Sequence, residues 1–212
     1  MPVQNLALPR LMIVSSGTEH PACSDLAVRQ ARALSKAGPV IYQLREKRCE
    51  AGTIHDLCCT LAHILSDSGS LLSVNERFDI ALASGAGGIH LPESSCPPDV
   101  IRKKAQSLLL GQSVHHKASA IRAAEAGIDY ILFGPVFQTP SKRPFGPPQG
   151  LQKLQDVCRS VTVPVFAVGG ITPERAFACI EYGAWGVAAL APFLDTDRLP
   201  ETLNHYQSFL HP

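Results

Sequence analysis

The sequence predicts an α/β fold, a single (β/α)8 TIM barrel, and three observations predict it. Eight short apolar runs alternate with longer amphipathic stretches from one end of the chain to the other, the pattern of strands and helices in a parallel sheet covered by helices. The 212 residues suffice for one well-buried core, and no linker-like shift in composition divides them, so residues 1–212 read as one domain. An open doubly wound sheet gives the same alternation, but the strand count closes a ring and no Gly-x-Gly-x-x-Gly follows the first apolar run.

The strands, in order, are predicted at 11–14, 40–44, 71–74, 88–91, 109–113, 130–133, 163–168 and 186–190. Each is short, apolar and rich in Val, Ile or Leu, as strands buried on both faces should be. Helical spacing of apolar residues fills the intervals at 25–36, 53–68, 98–106, 118–126, 151–159 and 173–182, with a shorter stretch at 77–84. Thr172 before Pro173 fits an N-cap with proline at the first helical position. Gly38, Gly127 and Gly183 stand where helices should stop.

Charge excludes several classes of function. The balance of 19 Lys and Arg against 18 Asp and Glu leaves +1, so no overall field attracts nucleic acid or an anionic membrane. No basic stretch followed by an apolar run opens the chain, and no segment approaches the roughly 18 apolar residues of a spanning helix. The expected protein is soluble and cytoplasmic. Seven cysteines include no Cys-x-x-Cys pair; several lie in apolar helical patterns, where a free thiol packs as a small hydrophobe, so no zinc site is expected.

In a barrel of this kind the chemistry belongs at the carboxyl ends of the strands. After the second strand comes Gln43-Leu44-Arg45-Glu46-Lys47, where alternation sends Gln43, Arg45 and Lys47 toward the barrel mouth. Asn75-Glu76-Arg77, His90-Leu91-Pro92-Glu93 and Ser113-Val114-His115-His116 end the next three strands, polar groups where apolar runs stop. The longest loop, 134–150, carries Thr139, Ser141 and Lys142, three donors and one charge suited to an oxyanion. Gly169-Gly170 ends the seventh strand just before a helix, and Leu190-Ala191 ends the eighth, which is the usual place for a phosphate in such a barrel.

Taken in order, the blocks YQLREK, VNERFDIAL, GIHL, GQSVHH, DYILFGPVFQTPSK, VPVFAVGGIT and GAWGVAAL resemble those of the thiamine phosphate synthase and TenI family from about residue 40 to 191. The resemblance implies a barrel, commonly oligomeric, that binds a small phosphorylated thiazole or pyrimidine. In the synthases a pyrimidine methyl diphosphate loses pyrophosphate with help from magnesium, and the nitrogen of a thiazole phosphate captures the resulting cation. Carried over by motif, Gln43, Arg45, Lys47, Asn75, Ser113 and Lys142 hold the pyrimidine diphosphate, with Arg45 and Lys142 serving the catalytic step. Thr139, Ser141, Gly169, Gly170, Leu190 and Ala191 hold the thiazole phosphate.

The departures from the family pattern leave three readings open. Asn-Asp of the synthases is Asn75-Glu76 here, and the Gly-Gln stretch with its Asp is Pro92-Glu93-Ser94-Ser95, so both magnesium carboxylates are altered and Glu76 is the residue left for a metal. The His-Leu-Pro stretch is similar to TenI-type thiazole tautomerases, which need no metal. That makes a tautomerase the first reading, with no cofactor and with His115 as the proton carrier, because the histidine those enzymes carry after the sixth-strand glycine is Pro135 here. A synthase, with magnesium, is the alternative. A barrel that binds its ligand without turnover is the third.

Overall fold

In a computed structural model, which describes residues 8–17, 22–139 and 147–210, eight parallel strands run in sequence order around a closed ring. The strands are β1 (Leu11–Val14), β2 (Ile41–Leu44), β3 (Leu71–Asn75), β4 (Gly88–Leu91), β5 (Leu109–Val114), β6 (Tyr130–Phe133), β7 (Val165–Val168) and β8 (Gly186–Ala189). The ring closes where Met12 of β1 lies opposite Ala188 of β8. The helices are α1 (Ala22–Leu34), α2 (Ala51–Leu65), α3 (Phe78–Ser84), α4 (Pro98–Arg102), α5 (Lys117–Glu125), α6 (Gly150–Cys158), α7 (Pro173–Glu181) and α8 (Leu199–Leu210).

Period-two alternation divides the apolar residues into two layers. Met12, Val14, Ile41, Tyr130, Leu132, Phe166 and Ala188 fill the inside of the ring. Leu11, Ile13, Tyr42, Leu44, Ile89, Leu91, Leu110 and Phe133 belong to the layer between strands and helices. Burying each such side chain stabilises the fold by roughly 1.5–3 kcal/mol, and the polar groups that enter the outer layer find partners. The Tyr42 hydroxyl donates to Gln30 Oε1 at 2.7 Å, and Gln30 Nε2 donates to the Phe193 carbonyl at 2.7 Å.

At the amino end of the strands, Arg10 lies 4.8 Å from the centroid of the Trp185 ring, whose Nε1 donates to the Leu8 carbonyl at 3.1 Å. These residues floor the barrel. The open rim is therefore the carboxyl end.

Thr172 caps α7 as its position predicts, Oγ1 accepting from the Arg175 amide at 3.3 Å. The helix predicted over 98–106 ends at Arg102 instead. The Arg102 guanidinium donates to the Leu108 carbonyl and to Asp129 Oδ2, tying that helix end to the entrances of β5 and β6. α8 adds an element the sequence reading leaves out. Its buried Leu199, Leu203, Tyr206 and Leu210 follow helical spacing, and it packs against α7 and α1. Among the described residues no helix is long and apolar enough to cross a membrane.

Candidate active site at the carboxyl rim

Strand parity builds the site. Register sets Gln43 beside Ser73, Asn75 beside His90, His90 beside Gly111, and Ser113 beside Leu132, so the polar members of this set point where the inner core points. Gln43 is buried and donates through Nε2 to Asn75 Oδ1 at 3.3 Å. Asn75 Nδ2 donates to Glu76 Oε2 at 3.0 Å. Glu76 takes a left-handed backbone (φ 62°), and its amide donates to the His90 carbonyl at 2.9 Å, which fastens the end of β3 to β4.

His90 is the buried centre of the cluster. Its Nε2 is 2.8 Å from Ser113 Oγ and its Nδ1 3.2 Å from the Tyr130 hydroxyl. Burial, with the positive charge of Arg45 acting in the same direction, pushes its pKa down to about 3, so it is a neutral imidazole at neutral pH. Sequence reading notes His90 as one polar strand end and gives the proton-transfer role to His115. The signal that separates them is depth along the strand, since His90 lies within β4 in register with Asn75 and Gly111, whereas His115 follows the end of β5.

Arg45 is set by a latch between the first two strand ends. Its amide donates to Ser15 Oγ at 2.8 Å, and the Ser15 hydroxyl donates to Glu46 Oε1 at 2.6 Å. Glu46 is a buried carboxylate that sequence reading passes over. At Gly17 (φ 62°) a Cβ would stand 2.5 Å from the Arg45 carbonyl oxygen and 3.1 Å from Arg45 Nη1, so the loop can lie against the guanidinium only with glycine there. Lys47 follows on an exposed turn.

His115 stands at the rim rather than inside it. Nδ1 donates to the Gly134 carbonyl at 2.6 Å, and Nε2 lies 3.9 Å from Glu93 Oε2. That leaves Nε2, on a half-exposed ring, to exchange a proton with a ligand or with the carboxylate.

Across the ring, Gly169 and Gly170 end β7 with φ of 97° and 65°. A Cβ on Gly170 would come within 2.7 Å of the Gln138 carbonyl oxygen and 2.9 Å of Phe137 Cβ, while one on Gly169 would strike Pro135. These glycines are needed for the strand-six loop to lie on the end of β7, a packing reason that adds to the phosphate reading. Arg175 holds the same corner, donating to the Gly170 carbonyl at 2.7 Å with its guanidinium 4.8 Å from the Phe137 ring centroid. Leu190 and exposed Ala191 lead from β8 into a short 3-10 turn, Ala191–Phe193. Thr139 ends the described part of the loop, and Ser141 and Lys142 lie outside the described residues.

The carboxylates do not assemble a two-carboxylate magnesium site. Glu76 is engaged by Asn75, Glu93 is turned to His115, and position 95 is serine. Among the described residues no three His, Cys, Asp or Glu side chains are grouped to hold a metal ion. Magnesium needs near-octahedral oxygen ligands at about 2.0–2.1 Å, which this donor set does not supply by itself.

The arrangement thus offers one cation, two amides and a hydroxyl on the β2, β3 and β5 side, facing glycine backbone on the β7 and β8 side. The model of the thiamine monophosphate synthase family matches residues 11–193. The thiamine-phosphate synthase of Methanoculleus marisnigri is 37% identical over 162 residues, covering 76% of this chain and 77% of that protein. The thiamine-phosphate synthase of a Roseiflexus species is 38% identical over 176 residues, covering 82% and 75%. A protein of Aquifex aeolicus, provisionally named as a second thiamine-phosphate synthase, is 36% identical over 190 residues, 90% of this chain and 100% of that one. The thiamine phosphate pyrophosphorylase structure from Pyrococcus furiosus shares the fold, with a TM-score of 0.81 at 24% identity over 95% of both chains. On the extent of the family match and of these identities, the chain belongs to the thiamine monophosphate synthase family.

Proposed function

We propose that the protein joins a pyrimidine methyl diphosphate to a thiazole phosphate and releases pyrophosphate. The sequence alone puts a tautomerase first; the relatives named as synthases, matched over three quarters of their length or more, move the synthase ahead of it. One observation carries the reading. Gln43, Arg45, Asn75 and Ser113 come from three strands to one rim, around a histidine that stays neutral and adds no competing charge.

The chemistry is heterolytic. The methylene C–O bond breaks with its electron pair leaving on pyrophosphate, and the thiazole nitrogen lone pair then forms the C–N bond, so no net proton or electron is consumed. What the protein must supply is stabilisation of charge growing on the leaving diphosphate. Arg45 offers a planar guanidinium for that, Asn75 and Ser113 offer neutral donors, and Lys47 adds charge from the adjoining turn. Gly169, Gly170 and Ala191 offer backbone to the thiazole phosphate on the facing side, so the ester is gripped away from the breaking bond.

The test is pyrophosphate release on mixing both substrates in magnesium-containing buffer, with each substrate alone as control. Release that requires both supports the reading; no release, or release indifferent to thiazole phosphate, overturns it. A second reading, thiazole tautomerisation, is favoured by the His115 geometry, in which Gly134 fixes the proton on Nδ1 and leaves Nε2 as a base. It requires that carboxythiazole phosphate aromatise faster with protein than in buffer, and that His115→Ala abolish the difference.

A further inference from the structure

Inside the barrel four polar side chains form one line. Ser73 Oγ is 3.5 Å from the Tyr130 hydroxyl, that hydroxyl is 3.2 Å from His90 Nδ1, and His90 Nε2 is 2.8 Å from Ser113 Oγ. Only Ser113, at the rim, is partly open to solvent; the other three are buried. The line exists because Gly111 lies opposite Tyr130 in the register, and a Cβ there would overlap the phenol ring. The ring is then fixed by stacking on His90 (centroids 5.7 Å, 29°) and by an edge contact with Phe166 (5.6 Å, 74°).

A neutral imidazole has one donor nitrogen and one acceptor nitrogen, so the line admits two proton arrangements. In the first, Tyr130 donates to Nδ1, Nε2–H donates to Ser113, and the serine proton is free to point into the mouth. In the second, Ser113 donates to Nε2, Nδ1–H donates to the phenol oxygen, and the buried phenol proton has only the 3.5 Å contact with Ser73. A buried donor left with so long a contact is costly, and a phenol is a better donor than acceptor. The first arrangement is favoured. Burial keeps Tyr130 protonated by raising its pKa, and keeps His90 from charging, so neither end of the line is lost near neutral pH.

We infer that His90 is a positioning residue: held as its Nε2–H tautomer by the Tyr130 hydroxyl, it turns the Ser113 proton outward, making that serine a dedicated donor to the leaving anion. The role rests on the proposed function in one respect, that the anion at Ser113 is a diphosphate. The tautomer itself does not depend on it.

Two measurements test this. Side-chain 15N–1H correlation spectra of histidine-labelled protein at neutral pH should show His90 protonated on Nε2 and bare on Nδ1. Tyr130→Phe should bring in a second population protonated on Nδ1, an effect that a merely space-filling histidine would not produce. Titration calorimetry with inorganic pyrophosphate should then give about tenfold weaker binding for Tyr130→Phe and for Ser113→Ala, the scale of one charged hydrogen bond. The double variant should be no weaker than Ser113→Ala alone, since both act on one proton. His90 protonated on Nδ1 in the unmodified protein overturns the inference, as does additive loss in the double variant. Should Tyr130→Phe fail to fold, the unmodified protein's spectrum still decides. A correct tautomer without any pyrophosphate binding overturns the functional reading and the role built on it, whereas pyrophosphate binding with the wrong tautomer overturns the role alone.

Discussion

Replacing Gly111 with alanine is the sharpest probe of the packing that builds the site. The added methyl would overlap three atoms of the Tyr130 ring, closer than any van der Waals contact allows. The ring cannot swing away freely, because it is fully buried between His90 and Phe166. Overpacking of this kind costs about 1–3 kcal/mol. Moving the hydroxyl off His90 Nδ1 adds about 1 kcal/mol for the lost hydrogen bond. Alanine recovers roughly 0.4–1 kcal/mol by restricting the unfolded chain, leaving a net loss of about 1–3.5 kcal/mol. Urea unfolding should show it as a lower midpoint with an unchanged slope. In a Tyr130→Leu background, where no phenol ring crosses the barrel, the same substitution should cost less than about 1 kcal/mol. Equal costs in the two backgrounds, or a loss below about 0.5 kcal/mol in the unmodified protein, would refute the reasoning.

Other expectations follow from the same geometry. Because the folded-state pKa of His90 is depressed to about 3, folded protein resists a proton that the unfolded chain accepts near 6.5, so stability is full above that value and falls as pH drops below it. Relative to His90→Gln, the unmodified protein should lose about 2 kcal/mol between pH 7.5 and 5.0 in urea unfolding, and parallel curves would contradict the buried neutral imidazole. Glu46→Ala deprives the Ser15 hydroxyl of its buried acceptor and should cost about 1–3 kcal/mol, read from the thermal midpoint, while loosening Arg45. Arg45→Ala should raise the dissociation constant for pyrophosphate about 10- to 100-fold with little change in stability; unchanged affinity in calorimetry would place the anion elsewhere. Gly170→Ala should weaken thiazole phosphate binding through displacement of Phe137 and Gln138, and retained affinity would show that the corner yields without consequence.

Much of this molecule was legible in its sequence because the physics involved is local. Alternation sends Gln43 toward the mouth of the predicted barrel, and Asn75 and Ser113 stand out as polar groups where apolar runs stop. Thr172 and Pro173 announced a helix start through a hydrogen bond that spans three residues. The unread parts depend on pairs distant in the chain. Gly111 and Tyr130 are 19 residues apart and meet only through the β5 and β6 register. Glu46 reads in the sequence as one member of a charge run, and only the fold brings Ser15, just past the end of β1, to donate to it. His90 and His115 are both strand-end histidines, and what divides them is depth: one lies among Tyr130, Ser113 and the charge of Arg45, the other at the rim against the Gly134 carbonyl. The missing α8 had a readable stripe, Leu199, Leu203, Tyr206 and Leu210, beyond the last strand that the family resemblance covers.

The proposed function places two anion sites across one barrel mouth, and a crystal structure with pyrophosphate and thiamine phosphate bound tests that most directly. Pyrophosphate is expected against Arg45, Asn75 and Ser113, with the ester phosphate of the other ligand at Gly169, Gly170 and Ala191. Both ligands bound outside the rim, or both phosphates on the same side of it, would contradict that placement.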